Sequence, residues 1–176
     1  QIKKNTNVLI IRNNSNEGFC KSFFIGVKNS NKEYVIYLPS TNVINSKQIS
    51  KIISLIPKYD FVLVNYENQK NTRNWSRYII SNLFNFSINL FFFNNIKYFN
   101  GTNIYKTVLF EKINISSNSY VFQSELVLKI LKQSKNYIEC SVKLNDIKSK
   151  DSFFFSYKNI WNNITDYVRL VTRIRL

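Results

Sequence analysis

The stretch NEGFCKSFFIGVKNSNKEYVIYLPSTN, residues 16–42, predicts one helix followed in the chain by one strand. Apolar residues recur every three or four positions across residues 17–29, a spacing that predicts an amphipathic helix. These residues are Phe19, Cys20, Phe23, Phe24 and Val27. The run YVIYL at residues 34–38 then predicts a buried strand, which Pro39 ends because proline cannot donate to a sheet ladder. The stretch therefore predicts an α/β unit.

The same alternation extends on both sides of this unit. Residues 7–12 and 61–64 are apolar strand candidates. Ser46 is a candidate N-cap for a helix that Pro57 closes. Strands separated by helices predict an α/β fold with parallel strands. Further along, residues 65–73 predict a polar loop and residues 137–144 a strand, and helices are expected at residues 75–93, near 107–112, at 125–133 and at 156–173.

The length and charge of the chain narrow the function further. Its 176 residues fit one domain, and 25 Lys plus Arg against 10 Asp plus Glu give a formal charge of +15. Such a charge favours polyanionic partners: nucleic acid, an anionic membrane surface or phosphorylated substrates. The sequence contains no histidine, which excludes His-dependent triads and His-ligated zinc. Cys20 and Cys140 are expected to be small buried hydrophobes in a reducing compartment.

Five segments, in order and spacing, carry a family resemblance. They are the opening stretch, with Asn16, Gly18 and Gly26, followed by KYDFVLVNYENQKNTRNWSRYIISNLFN (58–85), YFNGTNIYKTVLFEKI (98–113), VFQSELVLKILKQSKNYIECSVKL (121–144) and IKSKDSFFFSYKNIW (147–161). Together they resemble the family 2 glycosyltransferases, and especially the polyprenyl-phosphate sugar transferases similar to dolichol-phosphate mannose synthase.

The resemblance implies a fold and a domain plan. It implies a three-layer α/β domain of the nucleotide-diphospho-sugar transferase (GT-A) type, with a mixed, mainly parallel sheet that lacks the family's N-terminal portion. Residues 1–176 would form a single domain. Within it, residues 1–65 would be the remnant of the nucleotide-sugar-binding half, 66–155 the acceptor-side half and 156–176 a basic C-terminal helix.

The sequence departs from the family where the metal is held. Members of the family carry Asp-x-Asp after the strand, and here the two aspartates fall on Pro39 and Thr41. A diphosphate leaving group needs Mg²⁺ or Mn²⁺, and these hard cations prefer carboxylate oxygens. Pro39 offers no ligand, so the simpler interpretation is a strand end followed by a turn. The family's aspartate before the Asn-Gly loop also falls on a basic residue, Lys97.

The resemblance also implies site residues. Glu125 is the surviving acidic candidate for the catalytic cleft, with a structural helix carboxylate as the alternative. Arg73 and Arg77 are expected to hold the phosphate of a lipid acceptor, with surface solvation as the alternative. Asn100, Gly101 and Ser152 occupy the remaining family positions for substrate binding.

Three functions remain open from the sequence. The first is a hexosyltransferase that uses Mg²⁺ or Mn²⁺ at a non-standard site to move a sugar from a nucleotide diphosphate to a polyprenyl phosphate or glycan. The second is a non-catalytic pseudo-transferase that binds or scaffolds, and the third, least favoured, is a basic nucleic-acid-binding domain. The apolar and basic segments at residues 77–93 and 160–176 also suggest a peripheral contact with an anionic membrane. The expected location is the cytoplasm, at the inner face of a membrane.

Overall fold

The computed structural model describes residues 9–40, 43–145 and 157–174, and in the last segment the side chains of residues 160–173. Six α-helices and four strands lie in these residues. The helices are α1 (Gly18–Lys28), α2 (Ser46–Ile53), α3 (Gln69–Thr72), α4 (Trp75–Phe92), α5 (Val121–Gln133) and α6 (Tyr157–Ile174). The strands are β1 (Tyr34–Ile36), β2 (Phe61–Tyr66), β3 (Ile104–Lys106) and β4 (Tyr137–Val142), and a 3-10 turn covers Thr107–Phe110.

The four strands form one sheet in the order β1-β3-β2-β4. β2 and β4 pair in parallel along their whole length, from Phe61 opposite Tyr137 to Tyr66 opposite Val142. β3 is antiparallel to both of its neighbours, β1 and β2. Three strands therefore point the same way and one points against them, which makes the sheet mixed.

Both faces of the sheet are covered. Alternate residues of a strand point to opposite faces, so β2, which is fully buried from Phe61 to Val64, supplies two cores. Phe61 and Leu63 pack with residues of α1, α4, α5 and α6, whereas Val62 and Val64 pack with residues of α2. This arrangement is the predicted three-layer α/β fold. Burial of apolar area contributes about 25 cal/mol per Å² to it.

Most predicted elements are present, and three differ. Residues 9–12, the described part of the first predicted strand, form no strand, and Leu9 and Ile10 are exposed. Helix α2 is capped by the side chain of Asn45, which accepts a hydrogen bond from the Gln48 amide, so Ser46 is the first helical residue rather than the N-cap. The polar loop predicted at residues 65–73 is partly regular structure. Its first two residues belong to β2, and residues 69–72 form α3.

Strand β3 was not predicted, and its presence changes the topology. It lies between β1 and β2, so these two strands share a direction without pairing directly. β3 has only three residues, too few for an alternating pattern to stand out in the sequence. The helix expected near residues 107–112 is the short 3-10 turn that follows β3.

Candidate ligand site at the carboxyl edge of the sheet

The site begins with strand direction. β1, β2 and β4 end at one edge of the sheet, and β3, which runs the other way, starts there. Open α/β sheets bind ligands outside the carboxyl ends of their parallel strands. The segment after β1, the α3 region and the loop before β3 therefore share the edge where a ligand is expected. Because β3 separates β1 from β2, the ends of those two strands lie about 10 Å apart.

Arg73 is held in an aromatic setting at this edge. Its guanidinium lies 5.8 Å from the ring centre of Tyr66 and 5.5 Å from that of Tyr98. It donates hydrogen bonds to the Tyr98 hydroxyl at 3.1 Å and to the Gln69 side-chain oxygen at 3.0 Å. The Tyr66 ring is fixed in turn because its hydroxyl bonds both the side chain and the amide of Thr102. The guanidinium is thus oriented by neutral groups.

The charge of Arg73 is not neutralised by the ion pairs seen in the described residues, which join other side chains. A half-buried guanidinium that lies beside two tyrosine rings retains N–H donors for a ligand. Such a group suits a phosphate, which arginine binds through two parallel hydrogen bonds. Arg77 lies four residues further on, half-buried in the first turn of α4.

The Asn100–Gly101 loop packs directly on the end of β2. A Cβ atom placed on Gly101 would lie 1.8 Å from the backbone oxygen of Val64, so only glycine fits. Asn103 closes the same contact, because its side-chain oxygen accepts a hydrogen bond from the Val64 amide at 2.8 Å. The Asn100 side chain accepts a hydrogen bond from Ser124 on α5 at 3.2 Å. Arg73, Asn100 and Gly101, all predicted site residues, therefore lie in one region.

One buried donor at this edge has no partner. Asn65 is the second-to-last residue of β2, and its side-chain nitrogen makes no hydrogen bond in the structure. An unpaired buried polar group costs about 1–3 kcal/mol. Tyr66 and Tyr98 carry no signal in the sequence, because only the fold brings them beside Arg73, and a strand asparagine such as Asn65 carries none either.

The end of β1 has a different character. A pocket of about 220 Å³ lies there, lined by Leu38, Pro39, Ser40, Val43, Ile44 and Ile49. Its lining residues carry no carboxylate, and the Ser40 hydroxyl is the side-chain oxygen among them. Thr41, the second position of the predicted metal motif, lies outside the described residues. A neutral oxygen is a poor ligand for Mg²⁺ or Mn²⁺ on its own, so the described residues here do not fit a divalent cation.

No metal-binding group of three or more His, Cys, Asp or Glu side chains is found anywhere in residues 9–40, 43–145 and 157–174. Both cysteines are buried and free, as expected. Burial raises the pKa of the Cys20 thiol to about 11, and the charges of Glu125 and Asp166 add to the rise. The thiol is therefore protonated at neutral pH.

Glu125 lies on helix α5 and contacts the loop that precedes this helix. The side chain is buried, and its oxygens accept hydrogen bonds from the amides of Ser116 at 3.1 Å and Ser117 at 2.9 Å. Lys129, one turn along α5, forms an ion pair with it at 2.5 Å. Burial works to raise the pKa of this carboxyl, but Lys129 and the two serines outweigh it and the pKa is lowered. The observed contacts tie α5 to the preceding loop, and an acid or base role for Glu125 stays a prediction.

Asp166 continues the same pattern. This buried side chain of α6 accepts hydrogen bonds from the amides of Asn118 at 3.0 Å and Ser119 at 2.9 Å. Two carboxylates thus bind four consecutive amides of the loop at residues 116–119. A small cavity of about 90 Å³ separates them, with Arg169 and Arg173 at its border. Ser152, the last predicted site residue, lies outside the described residues.

The sheet, its helical layers and the ligand edge define a GT-A-like α/β domain. A family model for glycosyl transferase family 2 matches residues 1–113, and the chain belongs to that family. The match ends before Glu125 and Ser152, so their roles, like the likeness to dolichol-phosphate mannose synthase, stay predictions. No curated protein matches the sequence.

None of the helices in the described part of the chain has the length and hydropathy that crossing a bilayer requires.

Proposed function

We propose that this chain is a degenerate glycosyltransferase domain, which binds a phosphate-bearing ligand at the carboxyl edge of its sheet without carrying out metal-assisted transfer. Its ancestral reaction would be transfer of a hexose from a nucleotide diphosphate sugar to a polyprenyl phosphate or glycan. The observation that carries the proposal is the end of β1, where Pro39 and apolar side chains line a pocket whose described lining residues include no carboxylate.

The chemistry of the leaving group supports this assignment. Breaking the sugar–phosphate bond leaves two negative charges on the diphosphate, which a divalent cation normally neutralises. Carboxylates provide the charge that holds such a cation. The best-placed acidic residue of the resemblance, Glu125, is already engaged by two amides and Lys129. Binding is retained more easily than turnover, because binding needs only the carboxyl edge of the sheet and a cationic side chain.

Arg73 is the group we assign to that binding. It is oriented by Tyr66, Tyr98 and Gln69 and is therefore held in place before a ligand arrives. A pre-oriented side chain loses little entropy on binding, which favours affinity. The unpaired amide of Asn65 is a second donor at the same edge.

The binding prediction concerns Arg73→Gln. Charge-assisted hydrogen bonds contribute about 1.5–3 kcal/mol, so the variant should bind its nucleotide sugar roughly ten- to a hundredfold more weakly. Calorimetric titration of uridine and guanosine diphosphate sugars into the purified chain measures this change. Lys70→Gln is the matched control, since Lys70 is an exposed cation of the neighbouring helix α3. Equal weakening by both variants would assign the effect to general charge, and absence of binding to every sugar would refute the proposal.

A second prediction concerns restoration of a metal site. With Pro39→Asp and Thr41→Asp together, nucleotide-sugar binding should become at least about tenfold tighter in Mn²⁺, because two carboxylates supply the missing charge. The original chain should bind equally with and without Mn²⁺. The pair Pro39→Asn and Thr41→Asn controls for shape, since it adds side chains of equal size without charge. Metal-dependent binding by the original chain would instead support an active transferase with a non-standard metal site.

A further inference from the structure

Helix α4 carries an exposed apolar row that the proposed ligand site does not use. Its members lie three or four residues apart along one helical face, and each is at least 60% exposed: Leu83, Phe86, Leu90 and, just beyond the helix, Phe93. Trp75, 70% exposed at the start of the helix, lies on the same side. From Trp75 to Phe93 the row is about 27 Å long.

The end of this row is unfavourable for a surface that faces only water. Phe93 is 86% exposed and its φ is 53°, a left-handed conformation that bulky side chains rarely adopt. Glycine or asparagine would end the helix with less strain. A large apolar side chain held outward at some conformational cost indicates a contact surface.

Helix α6 adds a second exposed row next to the first. The two helices meet at Tyr167 of α6, whose ring centre lies 5.7 Å from that of Phe84 and 6.4 Å from that of Phe91, both on α4. Leu83 and Leu90 directly precede those two phenylalanines. On α6 the exposed apolar residues beside Tyr167 are Ile160, Trp161, Ile164 and Val168. We call the two exposed rows together, Trp75 to Phe93 and Ile160 to Val168, the α4–α6 surface.

The charges on these helices decide what the surface fits. Helix α4 has one charged residue, Arg77, and no acidic one. The acidic residue of α6, Asp166, is buried against the loop amides, and the largely exposed Arg169 forms an ion pair with it at 3.7 Å. The whole chain carries a formal charge of +15. An apolar face on cationic helices matches an anionic lipid surface, and a second copy of the chain would meet it with like charge.

We propose that the α4–α6 surface docks the domain on an anionic membrane, with both helices lying in the plane of the interface. The apolar rows enter the boundary between headgroups and acyl chains, and the arginines remain at headgroup level. Tryptophan favours this boundary because its ring is apolar and its N–H is polar. The inference does not depend on the ligand site, since none of the exposed apolar residues of the α4–α6 surface contributes to that site.

The chain carries its own reporter for the test. Its two tryptophans, Trp75 and Trp161, both lie on the α4–α6 surface. Vesicles of phosphatidylcholine with about one-third phosphatidylserine should shift the tryptophan emission to shorter wavelength. The protein should also sediment together with these vesicles. Vesicles of phosphatidylcholine alone should bind it at least about tenfold more weakly, because the cationic attraction is lost.

The double variant Leu83→Gln with Leu90→Gln tests the surface itself. It should weaken partition into the anionic vesicles at least about tenfold, because two exposed leucines no longer enter the bilayer. The double variant Ile53→Gln with Val108→Gln is the matched control, since these exposed apolar residues lie on α2 and the 3-10 turn. It should bind vesicles like the original chain.

Three results would overturn the inference. They are no binding of the original chain to anionic vesicles, equal loss in both double variants, or a dimer of the original chain that Leu83→Gln with Leu90→Gln converts to a monomer. The ligand proposal fails separately: the Leu83 and Leu90 variant should keep its nucleotide-sugar affinity, and Arg73→Gln should keep its vesicle binding.

Discussion

Replacing Gly101 with alanine should lower the free energy of unfolding by about 3 kcal/mol or more. The added Cβ would lie 1.8 Å from the Val64 oxygen, an overlap that no rotamer can relieve because both partners are backbone. The loop must move away from β2, and the hydrogen bond from the Val64 amide to Asn103 is then stretched or lost. Overpacking in a buried place of this kind is among the most damaging single changes. Urea unfolding followed by circular dichroism measures the change.

Gly26→Ala is the matched control. Gly26 lies in helix α1, and a Cβ there would have no atom within 4 Å. Alanine is the better helix former, so this variant should be more stable by about 0.5–1 kcal/mol. Opposite signs for the two substitutions would confirm the close approach of Gly101 to β2. A Gly101→Ala protein as stable as the original chain would show that the loop does not pack as described.

Replacing Glu125 with alanine should cost about 3 kcal/mol. The substitution leaves the amides of Ser116 and Ser117 without their acceptor and the charge of Lys129 without its partner. Breaking a buried ion pair from one side costs about 3–5 kcal/mol, and partial exposure of Lys129 places the expected loss at the lower end. Urea unfolding measures it, with Glu111→Ala as the control because Glu111 is exposed. Equal stability of both variants would contradict the anchoring role.

The pH dependence of stability gives an independent check on Glu125. Its folded-state pKa is lowered from 4.5, so the carboxylate contributes stability above that pH and loses it as the pH falls through the lowered pKa. Melting temperature measured from pH 7 down to strong acid should therefore fall less steeply for Glu125→Gln than for the original chain. Parallel curves would show that the carboxylate is not stabilised by its neighbours.

These expectations bear on function as well as stability. A carboxylate that two amides and a lysine hold in the ionised form is poorly suited to exchange protons near neutral pH, since a general base works best with a pKa near the working pH. The contacts of Glu125 thus agree with the proposal that the domain binds ligand without transfer. They also explain why a buried acidic residue remains on α5 in the absence of a described metal site.

Much of the fold could be predicted because its signals are local. The amphipathic spacing of α1, the apolar run of β2 and the long α4 each follow from side-chain periodicity, which the chain itself carries. Strand β3 could not be found this way, because three residues have no resolvable period. The sequence predicts a strand at residues 7–12, but the described residues 9–12 are exposed and form none, because an apolar run alone does not say whether a partner strand lies beside it.

The candidate site likewise combines features that the sequence shows with features that only the fold shows. The sequence by itself determined the family and the +15 charge, because these depend on residue identity and order. That Pro39 and Thr41 stand at the positions of the family's aspartates stays a prediction from the resemblance. Only the tertiary structure decided that Arg73 lies beside Tyr66 and Tyr98, that Gly101 contacts the Val64 carbonyl, and that Glu125 binds a loop. Those contacts join residues distant in the chain or depend on the direction in which a helix turns its side chains. Such geometry is fixed by packing around the whole sheet.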